Sequence, residues 1–351
     1  MKSYRIAEFG QPLRCEDTTV PTPTGSEVLL EVRAAGVCHT DLHVWHGGYD
    51  LGGGKFLKMS DRGVNLPHTM GHETVGVVIA TGPAAKGVNV GETMLVYPWI
   101  GCGECANCGS GNENLCLSAP RYLGIFRTGG YSTHLVVPDV RYLVPIGDLD
   151  PAQAAPYACA GLTAYSAIKR LGEIVHDGPI VLIGAGGLGL MALSVLGALG
   201  AKGAVVVDLD ESKRSAATQA GALLSVDPRD EAVSEKISAA IGGAPRAVID
   251  FVGAPATIKL GTSLLAKGGS CIVVGLVGGE VTLSIPPFPL RAVSLTGSFV
   301  GNLTELHELM TLVREGKVKA IPIDRRPLEE VNSALQDLEA GQLVGRAVLV
   351  P

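Results

Sequence analysis

The chain carries little charge and no surplus of the positive kind. Only 18% of its 351 residues are Asp, Glu, Lys or Arg, and 34 acids against 28 bases leave a formal charge of -6. No basic stretch forms a footprint for nucleic acid or an anionic membrane, so a polyanionic partner is not expected. The N-terminal run MKSYRIAEFGQPLRCED has charges at positions 2, 5 and 8 and lacks the apolar core of a signal peptide. The expected location is therefore the reducing cytoplasm, where thiolates survive. Internal repeats and low-complexity segments are missing too. One long stretch, residues 178–201, has no charged residue. Its glycines, in IVLIGAGGLGLMALSVLGALGA, suit a buried strand, a turn and a buried helix better than a membrane span.

What is present is apolar and turn-rich: 46% hydrophobic residues and 47 glycines. A chain of this length exceeds what one hydrophobic core usually organises, so two domains are expected. The first 150 residues alternate short β-branched runs (VLLEVRAAG, ETVGVVIATG, ETMLVYP, STHLVVP) with Gly and Pro clusters, the pattern of an irregular, mostly antiparallel, barrel-type unit. From about Gly178 strand-like runs alternate with helix-length segments: IVLIG, AVVVD, AVIDFVG and CIVVGLVGG, separated by LGLMALSVLGALG, ESKRSAATQAG and ATIKLGTSLLAKGG. That alternation predicts a doubly wound parallel sheet, hence an α/β fold. Beyond residue 295 two helical stretches bracket a short strand, and GRAVLVP closes the chain as a strand.

Four of the eight cysteines, Cys102, Cys105, Cys108 and Cys116, fall within one short run, GCGECANCGSGNENLC. Two disulfides fit this spacing poorly, because C-x2-C-x2-C crowds three sulfurs together. Four convergent thiolates with no open position are instead the usual structural zinc arrangement.

Gly184, Gly186 and Gly189 form G-x-G-x-x-G between IVLI and a helix, with Gly187 and Leu188 inside the motif, and Asp208 ends the next strand. The first glycine permits the tight turn, the second lets a pyrophosphate approach the backbone at the helix N-terminus, and the third lets helix and strand pack closely. Asp208 can accept hydrogen bonds from an unmodified ribose and repels a 2'-phosphate, so NAD is expected over NADP. Lys213 either helps hold that ribose or lies on a solvated helix face, where Arg214 belongs more readily.

Three further metal-ligating residue types stand far apart: Cys38 in AAGVCHTDLH, His72 in TMGHETVG and Cys159 in PYACAGLTAY. A Cys2His set with a vacant fourth position is known for catalytic zinc, although each residue alone is a weak signal. Cys15 and Cys271 read as inert thiols.

Taken together, GVCHTDLH, GHE, the four-cysteine run, CAG, the glycine turn and Asp208 resemble, in order and spacing, the zinc-dependent medium-chain alcohol dehydrogenases. The resemblance runs along the whole chain and is nearest the tetrameric microbial branch. It implies a GroES-like catalytic domain (1–155 and 295–351) with a structural zinc lobe near 100–118, and a Rossmann domain (156–294). It implies two zinc ions per chain, with Cys38, His72 and Cys159 holding the catalytic one, Glu73 beside it, and Asp41 fixing the His72 ring. Thr40 would adjoin the substrate oxygen and His43 would complete a proton relay. Val274, Leu276 and Ser298 to Val300 would flank the nicotinamide, and Arg346 would meet the pyrophosphate.

The same resemblance places Trp45, Tyr49 and Trp99 along a substrate cleft for apolar or aromatic alcohols; core packing is their other reading. Residues 50–67, DLGGGKFLKMSDRGVNLP, depart from the compact microbial pattern by about ten additional residues and would either cover the cleft or form an interface. The implied activity is reversible NAD-dependent oxidation of a primary or secondary alcohol by a homotetramer. A polyol, sugar or amino-alcohol dehydrogenase and a non-catalytic zinc/NAD sensor are the competing readings.

Overall fold

The computed structural model describes residues 1–351, and no helix in it is long and apolar enough to cross a membrane. Two sheets carry the architecture. In the first, Val28–Gly36 is central and pairs antiparallel with Glu73–Thr81, with His134–Val137 and with the last strand, Arg346–Val350. The central strand is buried along nearly its whole length, which its run of Val, Leu and Ala favours. Because Gly36 lies opposite Glu73 and Leu349 opposite Ala35, this register gathers Cys38, Glu73 and Arg346 at one end of the sheet. The C-terminal segment thus returns to the N-terminal half.

The second sheet has six parallel strands: Leu224–Val226, Ala204–Val207, Ile180–Ile183, Ala247–Asp250, Ser270–Val273 and Ser294–Gly297, in that spatial order. Numbered along the chain this is the doubly wound 3-2-1-4-5-6 arrangement, whose reversal beside the first strand is where such sheets take ligands. The helices Gly187–Ala198 and Ala160–Lys169 pack against each other on one face of it. Residues 178–201 are accordingly strand, turn and buried helix, as their glycines require.

Two details differ from expectation. The parallel sheet does not end at 294: Ser294–Gly297 pairs with Ser270–Val273, so a boundary between 294 and 295 cuts an edge strand whose SLTG sequence carries little apolar signal. The pair Leu224–Val226 and Val233–Ile241 completes the sheet's outer flank, although its short strand and charged connection gave no periodic pattern to read.

Residues 50–67 are not a plain loop. Gly48–Gly52 and Lys55–Lys58 form an antiparallel hairpin, followed by a short turn of 3-10 helix at Ser60–Arg62. The hairpin reaches across to the segment after Ser270–Val273, where the Gly279 N–H donates to the Asp50 carbonyl at 3.3 Å. A Cβ on Gly52 would stand 2.6 Å from the Glu280 backbone nitrogen, and one on Gly278 would stand 2.5 Å from the Asp50 carbonyl. Both glycines have positive φ as well, so the two backbones meet without side chains between them.

Candidate active site

Cys38 immediately precedes the helix His39–Trp45, and Asp41 in its first turn accepts the Cys38 backbone N–H at 2.9 Å. Asp41 therefore is a helix-start acid, but it also does more. Its Oδ1 lies 3.2 Å from His72 Nδ1, and its Oδ2 accepts the Tyr131 hydroxyl at 2.9 Å. With Nδ1 engaged, His72 turns Nε2 toward the thiols, and this buried nitrogen has no partner in the protein. Cys38 Sγ and Cys159 Sγ are 3.9 Å apart, and one atom each from Cys38, His72, Glu73 and Cys159 all lie within 4.8 Å of one another. Tetrahedral zinc with metal–sulfur bonds of ~2.3 Å sets its sulfurs about 3.8 Å apart, so the donor set suits that ion. The three scattered ligands of the sequence reading do meet, and they are buried.

The electrostatics are those of a cation site. Burial opposes a charged His72 ring, but Asp41 outweighs it and holds the imidazole pKa well above its ordinary value. A hydrogen bond from Cys159 draws the Cys38 thiol well below the usual range. Burial pushes Glu73 up to about 7, against the pull of Arg346. Glu73 is fully buried; Oε1 accepts the Ala160 N–H at 3.2 Å and stands 3.2 Å from Arg346 Nη2. A Cβ on Gly36 would meet Glu73 Oε2 at 2.0 Å, so this carboxylate needs the glycine opposite it.

Arg346, almost fully buried, joins this cluster to the glycine turn. It donates from Nη1 to the Val37 carbonyl at 3.1 Å, while Nε and Nη2 lack hydrogen-bond partners. A Cβ on Gly187 would come within 3.2 Å of its Cζ, which puts the guanidinium at the N-terminus of the helix Gly187–Ala198. Gly184 has φ +97, no atom lies within 4 Å of where a Gly186 side chain would start, and a Gly189 Cβ would collide with the Gly184 carbonyl at 2.0 Å. Turn, open cradle and close helix packing fall on the expected three glycines, and the Arg346 Nε, which has no hydrogen-bond partner, stands beside a helix N-terminus of the kind that suits an anion.

Asp208 follows the strand Ala204–Val207, and its carboxylate accepts the Ala185 N–H at 2.7 Å and the Asp210 N–H at 2.8 Å. Arg214 donates to the Asp208 and Leu209 carbonyls and pairs with Asp227, so it is structural. Lys213 Nζ lies 3.7 Å from the place of a Gly341 side chain, across the cleft from its own helix. Ser298, buried, has a hydroxyl without a partner, and Val274 is buried beside it in sequence register with Gly297 one residue short. Leu276 is nearly half exposed in the segment touched by the hairpin.

The expected aromatic trio divides. Trp99 sets its ring edge against His72, with centroids 5.4 Å apart, and Tyr49 stacks on His43 at 4.5 Å. Trp45 does not join them: its indole N–H is spent on the Gln11 carbonyl at 2.7 Å, in the packing of its helix on the N-terminal segment. Phe299 and Tyr122 take its place, both edge-on to Trp99 at 5.8 and 5.5 Å. Sequence reasoning missed Tyr122 and named Phe299 only within the stretch Ser298 to Val300; their packing on Trp99 comes from the fold bringing residues 99, 122 and 299 together. It also passed over His39, next to Cys38. Desolvation lowers its pKa, Cys38 opposes that, and Arg346, His43 and Lys213 lower it further, so several positive charges converge there.

Thr40 and His43 lie one turn apart on the helix His39–Trp45, hence on one face. Burial lowers the His43 pKa despite the Cys38 thiolate, which keeps the ring neutral near pH 7.

The four-cysteine lobe is a second donor set. All eight cysteines are free thiols, which excludes the disulfide pairing. Sulfur separations are 3.9 Å for Cys102 and Cys108, 3.4 Å for Cys105 and Cys108, and 4.0 Å for Cys105 and Cys116, again the spacing of a tetrahedral ion. Backbone N–H groups of Glu104 and Cys105 bring the Cys102 thiol down to about 6.

Comparison with known proteins agrees with this geometry. Residues 24–148 match the alcohol dehydrogenase GroES-like domain, and residues 187–315 match the zinc-binding dehydrogenase domain. An NAD-dependent alcohol dehydrogenase of Sulfurisphaera tokodaii is 38% identical over 100% of both chains. A D-arabinose 1-dehydrogenase (NADP(+)) of Saccharolobus solfataricus is 33% identical, covering 100% of this chain and 97% of its own. The crystal structure of the alcohol dehydrogenase from Aeropyrum pernix superposes with a TM-score of 0.89 at 33% identity, covering 100% of each chain. The chain belongs to the zinc-dependent medium-chain dehydrogenase family, as a member of its alcohol dehydrogenases.

Proposed function

We propose that the protein oxidises a primary or secondary alcohol reversibly with NAD, holding one catalytic zinc at Cys38, His72 and Cys159 and one structural zinc at Cys102, Cys105, Cys108 and Cys116. The observation that carries this reading is the orphaned Nε2 of His72 facing two buried thiols, in a cluster tied through Arg346 to the glycine turn. When bound, the catalytic zinc supplies Lewis acidity at the substrate oxygen and NAD accepts hydride from the carbinol carbon.

The protein's own groups do the rest. Asp41 fixes the His72 ring so that Nε2 points at the metal position. The Thr40 hydroxyl takes the alcohol proton and passes it toward His43, whose neutral ring can accept it. Tyr49, stacked on His43, covers that path. Trp99 and Phe299 form an apolar wall beside His72 that excludes water and suits cyclic or aromatic alcohols. Gly186, Gly187, Leu188 and Gly189 present the helix start to the pyrophosphate with Arg346, Asp208 and Lys213 reach the adenosine ribose, and Val274, Leu276, Ser298 and Val300 line the nicotinamide end.

The test is direct. Protein loaded with zinc and given NAD should reduce it with at least one member of a panel of primary, secondary, cyclic and benzylic alcohols, and metal analysis should find two zinc ions per chain. Silence across the panel, with both metals bound, would support the sensor reading instead. The sugar or polyol reading draws on the D-arabinose relative, and preference for aldoses over benzylic alcohols in the same assay would establish it.

Replacing Asp208 by Gly should cost NAD roughly tenfold in kcat/KM while NADP loses little, because the repelling carboxylate is gone. An unchanged ratio of the two would remove Asp208 from the ribose site. Self-association is part of the proposal. The edge strand Ser294–Gly297 has one side unpaired, with Ile285 and Leu290 exposed in the segment leading to it. Light scattering should give the mass of a homotetramer, and the thiol-rich sites suit the cytoplasm.

A further inference from the structure

Val300 has φ +42, a left-handed backbone that a β-branched side chain strongly disfavours. The neighbouring glycine does not relieve it. Gly301 is needed where it is, because a Cβ there would meet Leu162 Cδ1 at 2.6 Å. The conformation at 300 is therefore imposed from outside the segment, and the structure shows by what. The carbonyl before Val300, that of Phe299, accepts Asn114 Nδ2 at 3.0 Å, and the carbonyl after it, that of Gly301, accepts the Tyr97 hydroxyl at 3.0 Å.

Asn114 belongs to the four-cysteine lobe, two residues before Cys116, and is buried. It is itself held: its own carbonyl accepts the Tyr122 hydroxyl at 2.6 Å, and Asn112 Oδ1 accepts Asn302 Nδ2 at 3.1 Å on the far side of the strained residue. Glu113 between them accepts the Gly101 N–H at 3.0 Å and the Tyr142 hydroxyl at 2.8 Å. The lobe thus grips residues 299–302 at several points.

We infer that the four-cysteine lobe shapes the nicotinamide end of the cofactor site: Asn114, with Tyr97, clamps Val300 in a backbone conformation it would not adopt alone. Asn114 is a positioning residue, acting through the backbone at 299–300. The inference rests on the reading that places Val300 beside the nicotinamide. It gives the lobe a role in cofactor recognition.

The experiment is a double-mutant cycle read by binding. NADH and ADP-ribose, which lacks the nicotinamide, are titrated against the zinc-loaded protein, Asn114→Ala, Val300→Gly and the double variant, with lobe metal content measured for each. Asn114→Ala should weaken NADH roughly tenfold, the scale of a net hydrogen bond plus released strain, and leave ADP-ribose within about twofold. In the Val300→Gly background the same change should cost NADH less than about threefold, because glycine takes this φ without a Cβ penalty. Tyr97→Phe, which keeps the ring and loses only the donor, should behave like Asn114→Ala in milder form.

Equal losses of NADH and ADP-ribose, equal losses in both backgrounds, or unchanged NADH affinity in Asn114→Ala and Tyr97→Phe would each overturn the inference. A parent protein that binds neither NADH nor ADP-ribose would instead overturn the proposed function on which it rests.

Discussion

Replacing His72 by Ala is expected to lower alcohol oxidation by about 10³-fold or more while the lobe formed by Cys102, Cys105, Cys108 and Cys116 keeps its metal. The size follows from what is lost. A Lewis acid at the substrate oxygen is worth several kcal/mol, and each 1.4 kcal/mol is a factor of about ten in rate. Two thiolates without the imidazole hold an ion poorly, and Asp41, whose Oδ1 lies 3.2 Å from the ring nitrogen, is left buried without that neighbour. Metal analysis should fall from two ions per chain to one as the rate of NADH formation collapses. Both ions retained with an ordinary rate would show that His72 is not a ligand.

The second large effect is expected at Arg346. Replacing it by Leu removes the cation facing Glu73 at 3.2 Å and leaves a carboxylate in a fully buried position. Breaking a buried pair from one side costs roughly 3–5 kcal/mol, and at pH 8 the variant should unfold about 4–7 °C below the parent.

The pH dependence gives the cause. In the metal-free parent, burial raises Glu73 to about 7 when folded, against an ordinary value of 4.5, so between these the folded state binds the more protons. Stability from this residue accordingly falls as pH rises through that window. Without Arg346 the folded value climbs further and the loss extends to higher pH. The gap between parent and variant should narrow at pH 5, where Glu73 is neutral in both, and widen at pH 8. A gap independent of pH would mean that packing, not the stranded charge, sets the cost. On the proposed reading NAD affinity should drop in the same variant, since the guanidinium Cζ and Nε lose their place beside Gly187.

Much of this was legible in the chain because the chemistry imposes local spacing. Four cysteines in one short run and three glycines between a strand and a helix each describe a site that folds from its own neighbourhood. Cys38, His72 and Cys159 could be gathered only through the family pattern, because long-range contacts bring them together: a sheet register for Cys38 and His72, and the start of the helix Ala160–Lys169 for Cys159. Tyr122 and Asn114 lay beyond reach for the same reason, each acting across a contact between distant segments. Trp45 differs in the opposite sense: the family resemblance set it along the cleft, whereas its N–H found a carbonyl in the N-terminal segment. The hairpin at residues 48–58 hid behind its glycines, which read as loop but serve to let two backbones touch.

The chain has two tryptophans, and they sit in unlike places. Trp45 is fixed against the N-terminal segment, whereas Trp99, 1% exposed, lies edge-on to His72 and to Phe299. The protein therefore contains its own optical probe. Emission from Trp99 reports on whatever occupies the space next to His72, and NADH, which absorbs where indole emits, will draw on that light by energy transfer. Trp45→Phe leaves Trp99 as the one tryptophan, so that under excitation selective for indole, occupancy of the space next to His72 can be followed without a label.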